Sequence, residues 1–260
     1  MHAEFPSTGR RVLVTGAADG LGRALAREFA AAGDRVAVHY GSRRAQAEET
    51  LALLPAVEAG PHTLLGGDLS DTAEPPRLVA AAVESLGGLD ILVNNAAVNL
   101  PHPPVDTSYA DWTAAWQQHT AVNLLGTAGL AHQAAARMIA QGRGGRIVNI
   151  GSRGAFRGEP DHPAYGATKA AVHALGQSLA VALAPHGIAV ASVAPGFIET
   201  PRVADRLGGE AGEAIRAQSP FGRAAQPEEV AAAVAWLASP AGEWSSGAVL
   251  DLNGASYLRT

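Results

Sequence analysis

Apolar runs typical of buried strands alternate with helical patterns along almost the whole chain, and this alternation limits the possible folds most. The seven runs cover 11–15, 35–40, 61–66, 89–93, 147–150, 187–193 and 248–252. Helical stretches of about 10–15 residues between successive strands are typical of βαβ units, whose strands are parallel. The pattern therefore predicts an α/β fold with a doubly wound, seven-stranded parallel sheet and helices on both faces.

The helical patterns are bounded by glycine and proline, the usual signals at helix ends. They cover 21–32, 45–54, 75–86, 109–141, 163–184 and 227–237. The long pattern 109–141 predicts two helices in succession, and 99–107, with its prolines, predicts a loop. The polar residues 1–9 predict a loose N-terminal tail. No interdomain linker, internal repeat or low-complexity tract is visible, so we expect one domain over 1–260.

Composition excludes several classes of function. The chain has 260 residues, of which 47% are apolar and 17% charged, as expected of a globular protein with a large core. A net charge of −5 argues against a general nucleic-acid binder. Without cysteine there is no thiolate nucleophile or Cys-based zinc site, and the nine histidines show no metal-binding spacing, so we expect no metal. No apolar run is long enough to span a bilayer and no secretory signal is visible, so the cytoplasm is the expected compartment.

A glycine-rich turn follows the first predicted strand. It reads T-G-A-A-D-G-L-G over 15–22 and carries Gly16, Gly20 and Gly22. Glycines at a strand-to-helix turn let backbone N–H groups and the helix N-terminus approach a diphosphate. Glycine also simply turns and ends helices, but the position after the first strand of an α/β chain favours a dinucleotide site.

A second cluster of polar residues surrounds the fifth predicted strand. Ser152 follows that strand, and Tyr165 and Lys169, four residues apart, share one face of the next helix. A neighbouring ammonium favours the phenolate and lowers the pKa of a tyrosine, which brings it into the range of acid–base catalysis. A serine hydroxyl would hold a carbonyl oxygen against the phenol. Such a Tyr–Lys pair is also common on solvated helix surfaces, so its interpretation depends on the other motifs.

Taken together, these motifs resemble those of the short-chain dehydrogenase/reductase family, and most closely its 3-oxoacyl-carrier-protein reductase-like group. The family's T-G-x-x-x-G-x-G is present at 15–22, and its N-N-A-G at 94–97 with Ala97 in place of the last glycine. Asn123 lies in V-N-L, Ser152 precedes Y-x-x-x-K by thirteen residues, and P-G follows the sixth strand at 195–196. The resemblance covers about 11–254 and implies a single-domain, Rossmann-like enzyme that binds NAD(H) or NADP(H).

The resemblance implies roles for four catalytic residues. Tyr165 would be the acid in reduction and the base in oxidation, and Lys169 would lower its pKa and bind the nicotinamide ribose. Ser152 would orient the substrate oxygen. Asn123 would hold a water that links Lys169 to solvent; alternatively, or in addition, it satisfies the backbone of a kinked helix.

The resemblance also implies a cofactor site without a metal. Asp68 would accept from the adenine amino group while Leu69 covers the ring, or Asp68 merely caps the next turn. Ala97 would narrow the ribose wall slightly. The implied contacts are Gly16, Asp19, Gly20, Leu21, Gly22, Tyr40, Ser42, Arg43, Asp68, Leu69, Asn95, Ala96, Ala97, Tyr165, Lys169, Pro195, Gly196, Ile198 and Thr200.

Cofactor preference depends on the end of the second strand. An NAD-preferring site usually has a carboxylate there for the ribose 2′-hydroxyl. This chain has Tyr40, Ser42, Arg43 and Arg44, with no carboxylate to repel a 2′-phosphate. Arginine suits phosphate geometry. NADP(H) is therefore favoured and NAD(H) possible, unless both arginines are simply solvated residues at a helix start.

The substrate is left open by the sequence. The first hypothesis is interconversion of a small-molecule ketone and a secondary alcohol. The alternative is reduction of a 3-oxoacyl group on an acidic carrier protein, for which Arg143 would be a basic residue near the entrance. A non-catalytic, cofactor-binding regulator is a third, weaker hypothesis, since Asn123, Ser152, Tyr165 and Lys169 are all present. Charged residues at 153–162 are either a solvated rim or a site for a polar substrate.

Assembly and gating also leave traces in the sequence. The helix at 163–184 carries small or apolar residues on more than one face, which predicts burial against a partner chain as well as the sheet. Family resemblance favours a homotetramer, or a homodimer, with the last strand and the tail at Tyr257 as a second contact. The segment 196–221, with Gly208, Gly209 and Gly212, is predicted to be a mobile lid over the substrate.

Overall fold

Seven parallel strands form one sheet in the computed structural model, which describes residues 5–201 and 209–259. Along the sheet the strands follow the order β3-β2-β1-β4-β5-β6-β7, and every neighbouring pair is parallel. Their bounds are β1 Arg11–Val14, β2 Arg35–Tyr40, β3 Thr63–Gly66, β4 Ile91–Asn94, β5 Gly145–Ile150, β6 Ile188–Pro195 and β7 Val249–Leu252. The predicted seven-stranded parallel sheet is confirmed.

Helices cover both faces of this sheet. They are α1 Gly20–Ala31, α2 Arg44–Ala52, α3 Glu74–Leu86, α4 Tyr109–His119, α5 Thr127–Gln141, α6 Pro163–Leu183, α7 Gly209–Arg216 and α8 Pro227–Leu237. Alternate residues of β1 serve opposite faces, because successive side chains of a strand point to opposite sides. Val12 and Val14 join a core cluster with residues of α1 and α8, whereas Leu13 joins one with residues of α3, α5 and α6.

The pattern at 109–141 forms a continuous helical run. A π-helical segment, Thr120–Gly126, joins α4 to α5, the two successive helices that the sequence predicts. π-Helical turns occur mostly as short bulges and often at functional sites. Here the bulge contains Asn123, whose side chain is buried.

The amino ends of the strands carry buried ion pairs. Asp34, before β2, accepts from Arg10, with 2.5 Å between Oδ2 and Nη2. Asp90, before β4, accepts from both Arg11 and Arg143. Arg143 therefore lies at the edge of the sheet opposite the strands' carboxyl ends, and its predicted place near an active-site entrance is wrong.

The N-terminal residues are not uniformly loose. Residues 1–4 lie outside the described part of the chain, but Phe5 is buried in the core. The guanidinium carbon of Arg146 lies 4.1 Å from the centroid of the Phe5 ring, and Arg146 also pairs with Glu243. The prediction of a loose tail over 1–9 is therefore wrong at Phe5. Within the described residues, no helix has the length and apolar character needed to cross a membrane.

Candidate active site

A cavity of about 820 Å³ opens at the carboxyl ends of the strands. Between β1 and β4 the strand order reverses, and ligands of open α/β sheets bind at such a switch point. The loops that follow β1, β2, β3, β4, β5 and β6 all contribute to the cavity wall. Every residue named above as a cofactor contact lines this cavity, and so does Ser152, whereas Asn123 does not.

The glycine-rich turn forms one wall of the cavity. Gly16 has a φ of +62°, and a Cβ added there would lie 2.8 Å from the Cα of Ala96. Only glycine adopts this conformation readily and allows so close an approach. Asp19 precedes α1, but its side chain makes no capping hydrogen bond. The first N–H groups of α1 are therefore left for an anion in the cavity, as a dinucleotide diphosphate requires.

Asn95 joins the loop after β4 to this turn. Its side-chain amide donates to the carbonyl oxygens of Thr15 at 2.8 Å and Gly16 at 3.0 Å. The Thr15 hydroxyl in return accepts from the backbone N–H groups of Asn95 and Ala96. These contacts hold the two walls of the cavity together across the switch point.

The end of β2 differs from its prediction in one respect. Arg43 forms an ion pair with the carboxylate of Asp19, which belongs to the glycine-rich turn. The interpretation that no carboxylate lies near this position is therefore wrong. Arg43 is a cation already in contact with an anionic neighbour, and a 2′-phosphate would compete with Asp19 for it.

Ser152, Tyr165 and Lys169 line the same part of the cavity. Ser152 follows β5, and its Oγ accepts from the Gly154 N–H at 3.0 Å. Tyr165 lies in the first turn of α6 and Lys169 one turn later. The Lys169 Nζ donates to the carbonyl oxygen of Ile150 at 2.6 Å and lies 5.7 Å from the centroid of the Tyr165 ring. The hydroxyl, phenol and ammonium that the sequence separates by seventeen positions are thus brought to one wall.

Asn123 lies beneath the cavity wall. Its Oδ1 accepts from the Val98 N–H at 2.8 Å, and its Nδ2 donates to the Val98 carbonyl at 3.0 Å. A further bond runs to the Thr168 hydroxyl on α6. These partners lie in the loop after β4 and on α6. The Asn123 side chain therefore does not have the alternative role of forming hydrogen bonds to the backbone of its own kinked helix.

Two smaller predictions concern Asp68 and metals. Asp68 is exposed, and its Oδ1 accepts from the Ser70 N–H at 2.9 Å, so it caps the following turn as the alternative interpretation required. Leu69 beside it is buried in the cavity wall.

Across the described residues, no group of His, Asp and Glu side chains has a geometry that would hold a metal ion.

Comparison with known proteins agrees with this geometry. A family model described as "Enoyl-(Acyl carrier protein) reductase" matches residues 16–254. The chain is 36% identical over 244 residues to the short-chain dehydrogenase/reductase eriH of Hericium erinaceus, with 93% of this chain and 95% of that protein covered. The chain belongs to the short-chain dehydrogenase/reductase family. The dehydrogenase/reductase class predicted from the sequence is thereby confirmed.

Other members of the family carry more specific names. The L-rhamnose 1-dehydrogenase (NAD(P)(+)) of Sphingomonas sp. (strain SKA58) is 37% identical over 256 residues, covering 96% of this chain and 97% of that protein. A crystal structure of 3-oxoacyl (acyl-carrier-protein) reductase from Agrobacterium tumefaciens C58, with NADP bound, aligns with a TM-score of 0.85. It is 33% identical, and the alignment covers 96% of this chain and 95% of that one.

The family motifs gave no indication of two histidines that lie beside the site. His39, within β2, accepts from the Gly16 N–H through Nδ1 at 3.1 Å and contacts the Gly67 carbonyl through Nε2 at 3.1 Å. Burial lowers its pKa to about 4, so it is neutral at pH 7. The only signal was a polar residue within an otherwise apolar strand.

His102, in the loop after β4, fixes the start of the helix that carries Tyr165. Its Nε2 accepts from the Ala164 N–H at 3.0 Å, and its Nδ1 lies 2.7 Å from the Leu100 carbonyl oxygen. His102 thus accepts a hydrogen bond from the first turn of α6, although it lies far from this helix in the sequence.

The sequence also predicts a lid over 196–221 in this short-chain dehydrogenase/reductase. Residues 202–208 of that segment lie outside the described part of the chain.

Proposed function

We propose that this protein interconverts a ketone and a secondary alcohol with NADP(H), within a single catalytic domain. The observation that carries the proposal is the placement of Ser152, Tyr165 and Lys169 on one wall of the cavity that also holds the glycine-rich turn. When bound, the nicotinamide cofactor supplies or accepts the hydride. The first N–H groups of α1, which no side chain caps, and the wall at Asn95 fit the cofactor's diphosphate and ribose.

The proton is handled by residues of this chain. In reduction, Tyr165 donates its hydroxyl proton to the carbonyl oxygen, and in oxidation its phenolate accepts the proton. The Lys169 ammonium, 5.7 Å from the ring, favours the phenolate by its charge. Ser152 accepts from Gly154, so its own hydroxyl hydrogen is left to donate to the substrate oxygen. Asn123 fixes the backbone of Val98 by hydrogen bonding, and Val98 lines the same wall of the cavity.

NADP(H) is our proposed cofactor preference, with NAD(H) as a second, weaker substrate. Arg43 would bind the ribose 2′-phosphate, and Ser42 beside it would add a hydroxyl donor. The Asp19 carboxylate opposes this by pairing with Arg43. A relative that carries NAD(P)(+) in its name and a structural neighbour with NADP bound support a site that takes a 2′-phosphate.

The two alternative functions have less support. Reduction on a carrier protein requires basic residues at the entrance, and Arg143, the residue considered for that role, pairs with Asp90 at the opposite edge of the sheet. A non-catalytic regulator would have no need for Ser152, Tyr165 and Lys169 in one cavity. We therefore favour a small-molecule substrate.

The variant Tyr165→Phe tests this proposal, because it removes the proton donor and leaves the ring in place. We expect turnover of ketones with NADPH to fall by about 10²–10⁴, the range typical of general acid–base groups. NADPH binding, followed by fluorescence, should stay within about threefold. Tyr109→Phe, an exposed tyrosine on α4, is the matched control. Turnover near the wild-type value in Tyr165→Phe would reject the proposed mechanism.

We also propose that the protein is a homotetramer, with a homodimer as the alternative. The outer face of α6 carries small or apolar residues that are exposed in the single chain, among them Ala167, Ala174, Val181 and Ala182. Small residues let two helices approach closely. Light scattering would give the mass, and Ala174→Arg should lower it if this face lies in the interface.

A further inference from the structure

The residue after Ser152 is a buried cation. Arg153 is 5% exposed, lines the cavity, and places its guanidinium carbon 5.0 Å from the centroid of the Phe197 ring. Burial lowers its pKa, and the nearby charge of Arg157 lowers it further. A solvated rim, one of the two interpretations of the segment 153–162, therefore does not describe Arg153.

The partners of this guanidinium are neutral. Arg153 donates to the Ser256 hydroxyl and to the Gln218 Oε1, the latter at 2.5 Å. Arg157 donates to the same Gln218 oxygen at 3.4 Å. Two cations thus converge on one uncharged amide oxygen, and of these three residues it is Arg153 that lines the cavity.

The other buried arginines are paired differently. Among the described residues, Arg10, Arg146 and Arg153 are the buried arginines. Arg10 pairs with Asp34 and Arg146 with Glu243, whereas neither Arg153 nor Arg157 has a carboxylate within ion-pair distance in that part of the chain. Glu159 acts on Arg153 only through space. A buried charge without a counter-charge is costly, so a ligand that supplies one would bind favourably.

We propose that Arg153, assisted by the neighbouring positive charge of Arg157, binds a carboxylate of the substrate, which makes the substrate an oxo acid in reduction and a hydroxy acid in oxidation. This inference rests on the proposed function, because the carbonyl of the same molecule must reach Ser152, the neighbour of Arg153. A planar guanidinium fork matches a carboxylate with two parallel hydrogen bonds. Glu159, which also lines the cavity, disfavours a doubly charged phosphate.

The reduction leaves this carboxylate unchanged. A C–H bond forms with the hydride of NADPH and an O–H bond forms with the proton of Tyr165, while the π bond of the ketone breaks. The products are the hydroxy acid and NADP⁺. Arg153 acts by binding one end of the substrate and so places its ketone at Ser152.

Substrate pairs that differ only in charge test the inference. We would measure kcat/KM with NADPH for a series of 2-, 3-, 4- and 5-oxo acids and for the methyl ester of each. At least one acid should exceed its ester by tenfold or more. In Arg153→Gln, kcat/KM for that acid should fall about 10²-fold, as expected for losing charge-assisted hydrogen bonds, with the ester changed less than about threefold. Arg157→Gln should have a smaller effect in the same direction.

Two variants serve as controls. Arg27→Gln removes an exposed arginine of α1 and should change neither substrate. Arg153→Lys keeps the charge but loses the fork, and should retain part of the preference for the acid. Equal losses for acid and ester in Arg153→Gln would show that Arg153 only ties the turn at 153–155 to Gln218 and Ser256, and would overturn the inference.

A binding measurement separates this inference from the proposed function. Calorimetry would follow the acid, its ester and inorganic phosphate binding to the NADP⁺-saturated protein. Arg153-dependent binding of the acid without reduction of any ketone would refute the proposed function and leave the anion site in place. Reduction of esters with no binding of the acid would refute the anion site alone. Arg153-dependent binding of phosphate but not of acids would overturn the choice of a carboxylate.

Discussion

The two edges of the sheet differ in how their buried charged residues are paired. At the amino edge, Arg10 and Asp34 form a buried pair, and Asp90 lies between Arg11 and Arg143. At the carboxyl edge, Arg153 contacts only neutral oxygens, and Lys169 donates to a backbone carbonyl. Both edges bury charge at the ends of parallel strands, so burial itself does not distinguish them.

The difference lies in where each charge finds its partner. A charge that is paired within the chain contributes to the stability of the native state and needs no ligand to neutralise it. A buried charge that meets only neutral acceptors is stabilised further when a ligand brings the opposite charge. We therefore expect the carboxyl edge to bind the ligand and the amino edge to affect stability alone.

The largest expected effect is at the amino edge. Asp34→Asn would leave the Arg10 guanidinium, 3% exposed, without its carboxylate. Removing one partner of a buried pair costs about 3–5 kcal/mol of unfolding free energy. Urea unfolding should show this loss, while kcat of the folded protein stays at the wild-type value.

The exposed pair of Arg44 and Glu48 on α2 provides the control. Glu48→Gln should change the unfolding free energy by less than about 1 kcal/mol, as surface ion pairs do. A loss of similar size in both variants, or a fall in kcat in Asp34→Asn, would remove the distinction between the two edges.

The next effect is a loss of folding stability at low pH, caused by His39 at the carboxyl edge. His39 has a pKa of about 4, below its ordinary 6.5, because it is buried. The unfolded chain takes up this proton near pH 6.5, whereas the folded chain does so only near pH 4. Stability from His39 is therefore complete above pH 6.5 and falls towards pH 4, by about 3 kcal/mol.

His39→Gln should reduce this loss while its amide replaces part of the contacts to Gly16 and Gly67. Urea unfolding at a series of pH values measures the slope. The exposed His132→Gln is the control and should leave the slope unchanged. His173, with a pKa also lowered to about 4 by burial and by Lys169, should retain its own share of the slope in the His39 variant. An unchanged slope in His39→Gln would contradict the neutral, buried state of His39.

The smallest effect tests the ion pair of Arg43 with Asp19 at the carboxyl edge. Arg43→Ala should weaken NADPH binding by about 1.5–3 kcal/mol, the value of a charge-assisted hydrogen bond, and change NADH binding little. Asp19→Asn should act in the opposite direction, strengthening NADPH binding by up to about 1 kcal/mol because it releases Arg43. Fluorescence titration with both cofactors measures these changes, with Arg44→Ala as the control. Equal losses for NADPH and NADH in Arg43→Ala would show that Arg43 does not contact a 2′-phosphate.

Much of the site could be predicted because its members stand at the ends of predictable elements. Gly16, Asn95 and Ser152 each follow a strand whose apolar run is plain in the sequence, and Tyr40 ends another. In a parallel sheet these carboxyl ends meet at one edge, so the alternation of elements already brings the residues together. The prediction of two successive helices over 109–141 is also confirmed, and a π-helical segment joins them.

Other features depended on distance in space and could not be predicted. The pairing of Arg43 with Asp19 joins residues in two different strand-to-helix connections. Arg143 lies close in sequence to Ser152, but the length of β5 separates them, so one belongs to each edge. His102 reaches Ala164 across sixty-two positions to support the start of α6.

By itself, the sequence determined the fold class, the dinucleotide turn and the family, because these depend on hydrophobic period, glycine positions and short motifs. Only the tertiary structure decided which charges are neutralised within the chain. Ion pairing needs side chains within a few ångströms, and those neighbours come from elements far apart along the chain. The charged segment 153–162 shows the limit of what the sequence can decide. Its composition fits a solvated rim, but packing against Phe197, Gln218 and Ser256 makes Arg153 a buried cation at the cavity.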